Sequence, residues 1–270
     1  MTAALRASRR AEIVRGFGAQ AYTADGIDDP TIFVGVYNTA DLALVEAHQG
    51  PAVIMFCGGD ARHARWAVPR LNALQRLRYR TVASSSLAPI LQAHGVQLDI
   101  IRDIYVGDAS MFQPHPAGDA VFVGMPYERR LEYGLPLVSE VAALLPDTTF
   151  LLSRWGRAPL PFPNATAAAA WQSTAGVLKD YAASFCQIRC HLRDGFSTGI
   201  CESALMGRPV CHAIDTGMPW IPQRQTADEI AAFITDARQR TPDLALAKEA
   251  RAHIERIRML RRETLASCSF

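Results

Sequence analysis

The sequence predicts an α/β fold of two Rossmann-like halves, on three observations. Short runs such as "AVIMFC" (52–57) and "AVFVGM" (120–125) are apolar without alternation, the pattern of parallel strands covered on both faces. Segments with helical spacing fall between such runs, giving the strand–helix alternation of doubly wound sheets. A stretch broken by two prolines and a glycine, "MFQPHPAGD" (111–119), divides that alternation in two. The expected halves are therefore 1–115 and 116–270, the second carrying the terminal helices. Folds of this kind bind ligands in the cleft between their halves.

In chain order, residues 5–20 have helical spacing, and "TIFVGVYN" (31–38) reads as a buried strand. Thr39 can cap the helix "ADLALVEAHQG", in which Leu42, Val45 and Glu46 fall at helical spacing and Gly50-Pro51 is the stop. After the strand 52–57 come "LNALQRLR" as helix, "YRTVASSS" as strand, "LAPILQAHG" as short helix and "LDIIRDIYVGD" as strand. The second half opens with strand 120–125, then "LPLVSEVAALLP" (helix), "TTFLLSRWG" (strand) and a Pro/Ala-rich loop. It continues with "TAGVLKDYAASF" (helix), "CQIRCHL" (strand), a turn and helix at 193–207, and "RPVCHAI" (strand). From Thr226 onward two helices, 227–240 and 244–266, are expected.

The chain has 270 residues, 49% of them hydrophobic and 20% charged, as in soluble globular proteins. Long uncharged stretches such as 51–59 and 158–178 are interrupted by Gly, Pro, Asn or Gln. Neither supplies the run of about 20 apolar residues that spans a bilayer. The N-terminal residues lack an apolar signal core, so a cytoplasmic protein is expected. The six cysteines form no Cys-x-x-Cys pair, and Cys186 and Cys190, on one strand, are expected to pack as reduced thiols. Only Lys179 and Lys248 among the 28 basic residues are lysines, so arginine carries nearly all the positive charge.

The densest motif is "RDGFSTGICESALMGRPV" (193–210). A strand ends before it, a turn follows, and a helix begins at its small residues. The free N–H groups of such a helix end form an anion site, and Ser197, Thr198 and Gly199 let phosphate oxygens approach closely. Glu202, expected in the first helical turn, suits the helix dipole and can accept two hydrogen bonds from a ribose diol. Asp194 precedes the turn and can reach sugar hydroxyls. These parts together suit a nucleotide sugar.

Asp194 and Glu202, eight apart in "DGFSTGICESALMGRPV", resemble the paired acids of retaining GT-B glycosyltransferases of the family-4 type. The resemblance extends over "GVLKDYAASFCQIRCHL", "AVFVGM" and residues 79–114, about two thirds of the chain. It implies sugar transfer from a nucleotide-sugar donor with retention, the donor lying in the C-terminal half and Lys179 approaching the nucleotide. The sequence departs from the pattern in three ways. The first acid is Asp rather than Glu. The expected phosphate-binding Arg after the first donor strand is missing from Gly124-Met125-Pro126, leaving Arg129, Arg130 or Arg154 to supply the charge. The N-terminal half is short, which leaves the acceptor open.

Breaking a sugar–phosphate bond places negative charge on the diphosphate, which cations or N–H groups must stabilise. With no Asp-x-Asp and seven scattered histidines, no metal or other cofactor is expected. Trp155 is a candidate for stacking on the base or for covering the core edge. A second candidate site is "CGGDARHARW", where Asp60 or His63 can orient or deprotonate an acceptor hydroxyl. Six arginines between Arg62 and Arg80, unbroken by acidic residues, form a solvated face or receive a phosphate-bearing acceptor, nucleic acid or lipid, as against a glycan. The alternatives to a transferase are a non-catalytic nucleotide- or sugar-binding partner subunit and a nucleotide-sugar epimerase.

Overall fold

A computed structural model of the chain describes residues 22–56, 66–75, 79–84, 86–101, 103, 105, 107–168, 174–191 and 197–267. The helix expected at residues 5–20 lies outside these. The chain divides into two compact units, one of Met1–Gly107 with Glu255–Phe270, the other of Asp108–Arg193 with Ser197–Ile254. Among the described residues no helix is long and apolar enough to cross a membrane.

In the first unit, strands β1 (Thr31–Val34), β2 (Ala52–Met55), β3 (Tyr79–Ala83) and β4 (Ile100–Ile101) form a parallel sheet in that order. Helices α1 (Thr39–Ala47), α2 (Val68–Gln75) and α3 (Ala88–Ala93) alternate with them. Phe33, Leu42, Val45, Ile54, Leu71 and Leu91 meet in one core, as their apolar spacing predicts. The cap of α1 is Asn38 rather than Thr39: Asn38 Oδ1 accepts the Asp41 N–H at 2.9 Å, and Thr39 is already helical. Of the strand expected across 98–108, the described residues show β4 at Ile100–Ile101; just ahead of it the Asp99 N–H donates to the Thr81 carbonyl at 3.1 Å and Asp99 Oδ2 accepts the Thr81 N–H at 2.9 Å. Of the arginine run, Arg70 on α2 makes a two-pronged ion pair with Glu46 on α1. Arg62, Arg65, Arg76, Arg78 and the Arg80 side chain lie outside the described residues.

The second unit holds five parallel strands: β5 (Ala120–Val123), β6 (Phe150–Leu152), β7 (Ala165–Ala167), β8 (Ser184–Arg189) and β9 (Val210–His212). Their spatial order is β7-β6-β5-β8-β9. Helices α4 (Leu135–Leu144), α5 (Thr174–Ala182), α6 (Thr198–Leu205), α7 (Ala227–Arg240) and α8 (Leu244–Ser267) complete the unit's sequence of elements, α8 running on into residues of the first unit. Alternate residues of β5 serve the two faces. Val121 and Val123 join Val138 of α4 and Ile230, Phe233 and Ile234 of α7 in one core. Phe122 faces the other way, edge-on to Tyr181 of α5 with ring centroids 5.0 Å apart. On that face α5 and α6 pack against β8.

Strand β7 falls in the Pro/Ala-rich segment expected to be loop. Its small residues carry no strand signal; Asn164, just before it, donates through Nδ2 toward the carbonyls of Ala142, Leu145 and Thr148, which anchors the segment beside β6. Residues 108–112 pack with the second unit: Asp108 caps the turn Ala109–Met111, and Phe112 is fully buried, its ring 6.4 Å from Tyr181.

The proline-rich stretch that follows is pinned by Arg208, a fully buried side chain. Its Nη1 donates to the His115 carbonyl (2.8 Å) and the Met206 carbonyl (3.0 Å), Nη2 to the Pro116 carbonyl (2.8 Å) and Nε to the Tyr181 carbonyl (3.1 Å). Burial pushes its pKa down to about 10, so the group remains a cation at neutral pH.

Two outcomes are expected. Arg208→Ala strands four carbonyls and should cost on the order of 3–5 kcal/mol, read as a lowered thermal midpoint, and Arg208→Lys should not restore it because one ammonium cannot reach all four. Helix α7 begins with a capping box: Thr226 Oγ1 accepts the Glu229 N–H, while Glu229 Oε2 accepts the N–H groups of Gln225 (2.8 Å) and Thr226 (3.1 Å). These backbone donors hold the Glu229 carboxyl below its ordinary pKa. Its contribution to stability is therefore complete above the ordinary glutamate value and fades as pH falls through the lower, folded value. Any midpoint advantage of wild type over Glu229→Gln should close across that acidic window in melts from pH 7 to pH 3.

Candidate functional site

The chain leaves β5 toward β6 and β7, then returns on the opposite flank of β5 as β8. In open parallel sheets ligands bind outside the carboxyl ends of the strands at such a reversal. Here those ends carry Gly124, directly after β5, and Arg189, the last residue of β8. A methyl group built on Gly124 would lie 3.1 Å from Arg189 Nη1 and 3.7 Å from Gln187 Nε2. The guanidinium thus lies against the backbone of the central strand, where a glycine leaves room for it. Met125, in the position where a cation is expected from the resemblance, is fully buried in the core.

The segment Pro126–Gly134 also lies near this end of the sheet. Gly134 has φ +76°, and a Cβ there would stand 2.5 Å from the Cys190 carbonyl oxygen, so only glycine permits the approach. The neighbouring Tyr133 ring meets His191 edge-on at 4.3 Å, with the guanidinium carbons of Arg189 and Arg129 at 5.4 and 5.5 Å from its centroid. Arg129 is also ion-paired with Glu132 at 2.5 Å. Arg130 lies 4.4 Å from the Tyr127 ring centroid and donates to that residue's carbonyl at 3.0 Å. Arg154, after β6, is exposed with a left-handed backbone (φ +57°). Trp155 covers the core rather than offering a stacking face: it is buried, edge-on to Tyr127, and its Nε1 donates to the Pro159 carbonyl at 3.1 Å.

Helix α6 starts at Thr198 with Ser197 as its cap, and the Ser197 side chain makes no capping hydrogen bond. Gly199 is small for a local reason: a Cβ would stand 3.1 Å from the Tyr181 hydroxyl. That hydroxyl lies 3.0 Å from the Gly199 carbonyl oxygen and 3.3 Å from Glu202 Oε2. Glu202 therefore departs from expectation in two respects. It is the fifth helical residue, in the second turn, and it is fully buried rather than exposed. Lys179 stands exposed on α5. Asp194, Asp60 and His63 lie outside the described residues.

The structure thus brings Gly124 and Arg129 together with Arg189, a residue that sequence reasoning passed over. The available signal was one charged residue closing an otherwise buried strand. Three of the thiols are held protonated: burial pushes Cys190 up to about 12 and raises Cys186 and Cys211 as well. Among the described residues no group of three His, Cys, Asp or Glu side chains is placed to hold a metal ion.

No family model and no curated protein matches the sequence. Solved structures do match. TarM aligns with 89% of this chain and 55% of its own at 11% identity, with a TM-score of 0.60. Sucrose-phosphate synthase from Thermosynechococcus elongatus aligns over 88% and 73% at 14% identity and a TM-score of 0.57. The pneumococcal O-GlcNAc transferase GtfA, solved with UDP and GlcNAc, aligns over 88% and 56% at 11% identity and a TM-score of 0.55. The chain spans little more than half the length of TarM and GtfA. At these identities the likeness establishes the fold, an α/β architecture with two parallel sheets of the kind found in GT-B glycosyltransferases.

Proposed function

We propose that this protein is a glycosyltransferase of the retaining, family-4 type, which moves a sugar from a nucleotide-sugar donor to an acceptor hydroxyl without a metal ion. The observation that carries the reading is the arrangement at the carboxyl end of the second sheet. Arginines gather beside the reversal between β5 and β8, and the unit also presents the start of α6. A departing diphosphate needs such preplaced cations and N–H groups. Fold neighbours that include a sugar transferase solved with UDP add support.

In this reading Ser197, Thr198 and Gly199 offer backbone N–H groups to the diphosphate, and Arg129, Arg130, Arg154 and Lys179 supply further positive charge around the donor. Glu202 meets the ribose only when its side chain leaves the buried position it holds beside Tyr181. Asp194 contacts the donor sugar, a role that rests on the 193–210 motif, and Asp60 or His63 handles the acceptor hydroxyl, a role that rests on the stretch "CGGDARHARW". Retention means that the acceptor attacks on the face from which the diphosphate departs. The acceptor is a glycan or a phosphate-bearing lipid or nucleic acid; of the arginines that a phosphate-bearing one would meet, Arg70 is ion-paired with Glu46.

Purified protein incubated with UDP-glucose, UDP-GlcNAc, GDP-mannose and ADP-glucose should release nucleoside diphosphate from at least one, at a rate unchanged by excess EDTA. Absence of release from all four, with and without added sugar acceptors, would remove the transferase reading; loss on chelation with rescue by Mg²⁺ or Mn²⁺ would remove its metal-free form. Glu202→Ala should lower stability by about 1–3 kcal/mol, since it opens a cavity and deprives the Tyr181 hydroxyl of an acceptor. Glu202→Gln keeps the shape and should retain most of that stability while weakening nucleotide binding, compared by thermal melts and by titration calorimetry. Unaltered nucleotide affinity in a folded Glu202→Gln protein would exclude the ribose role.

A further inference from the structure

We infer that Arg189, with Gln187 beside it, is the side chain that grips the diphosphate of the nucleotide. The inference rests on the nucleotide-sugar reading and adds to it a residue that the motif does not mark. Three independent observations converge. The first is position: the two strands that define the reversal, β5 and β8, end at Gly124 and Arg189. The second is convergence of donors on one point. Arg189 Nη1 and Gln187 Nε2 stand 3.1 and 3.7 Å from where a Gly124 Cβ would be, and both Gly124 and Arg189 are only partly buried. Phosphoryl oxygens arriving over Gly124 meet a guanidinium fork and an amide N–H together, the planar two-donor geometry that suits a phosphate.

The third observation is an incomplete amide. Gln187 is 1% exposed, in the interior strand β8, and its Oε1 has no hydrogen-bond partner among the described residues. Buried polar atoms in that state mark places that a water or ligand completes. A donor hydroxyl, from the ligand or an accompanying water, satisfies this oxygen while Nε2 faces the phosphate. The fork is also steadied in advance: the Arg189 guanidinium carbon lies 5.4 Å from the Tyr133 ring centroid, and that ring rests edge-on against His191. A stacked guanidinium loses less freedom on binding than an unsupported one. Arg129 also approaches the Tyr133 ring and is ion-paired with Glu132.

The test is calorimetric titration of UDP, GDP and ADP, each alongside its parent nucleoside, into wild type, Arg189→Gln and Gly124→Ala. For the diphosphate that wild type binds, Arg189→Gln should weaken affinity roughly 10- to 100-fold while nucleoside affinity stays within about twofold. Gly124→Ala keeps the charge but pushes a methyl group against Nη1, and it should show the same selective loss, which covers the case in which Arg189→Gln fails to fold. Diphosphate affinity unchanged in either folded variant would overturn the role of Arg189 and leave the nucleotide-sugar reading standing. Equal losses for diphosphate and nucleoside would likewise overturn it, because the effect would then not be on phosphate. Failure of wild type to bind any of the three diphosphates would overturn the reading and the inference with it.

Discussion

The second unit depends on one buried cation. Arg208 lies where a strand resumes after α6, and its guanidinium draws together carbonyls from the segment before β5, from the end of α5 and from the end of α6. No carboxylate opposes it among those contacts; burial lowers its pKa, and the carbonyls that accept from the guanidinium help it to stay a cation. The arrangement serves position more than attraction. By holding the end of α5, Arg208 holds Tyr181, and Tyr181 in turn stands beneath Gly199 and Glu202 at the start of α6. The chemistry proposed for the carboxyl end of the sheet is thus suspended from a side chain on the far side of the same helices.

Much of the fold was legible because its signals are local. Uninterrupted apolar runs in β2 and β5 state a parallel strand without help from the rest of the chain. What escaped depended on partners distant in sequence. Strand β7 is Ala165-Thr166-Ala167, neutral in propensity, and exists because Asn164 bonds to carbonyls around the end of α4. Ahead of β4, the Asp99 side chain as well as its backbone bonds to Thr81, a pairing between residues 18 apart that no local pattern announces. Asn38 rather than Thr39 caps α1, a shift of one residue that propensity cannot resolve, both types being good caps.

The site divides in the same way. The start of α6 was readable from small residues between a strand and a helix. The environment of Glu202 was not, because it is set by a tyrosine 21 residues earlier that fills the space under the helix. Arg129, Arg130 and Arg154 drew notice by lying in loops near the glycine of β5. Arg189 was hidden inside a strand, where alternation alone decides that it shares the Phe122 and Tyr181 face with Gln187. Nothing in Gly207-Arg208-Pro209-Val210 marks the arginine as buried, although its guanidinium donates to four carbonyls.

The strand order also governs how this unit can assemble. Pairs β5–β6 and β8–β9 join segments about 25 residues apart and can form early, whereas β5–β8 closes a loop of roughly 60 residues, with a larger entropy cost. Until that seam closes, β5 presents an open edge carrying Val121, Phe122 and Val123, an apolar surface of the sort that recruits other chains. The same seam lays Arg189 against Gly124, so a chain in which it has not closed both exposes that apolar edge and lacks the juxtaposition of these two residues.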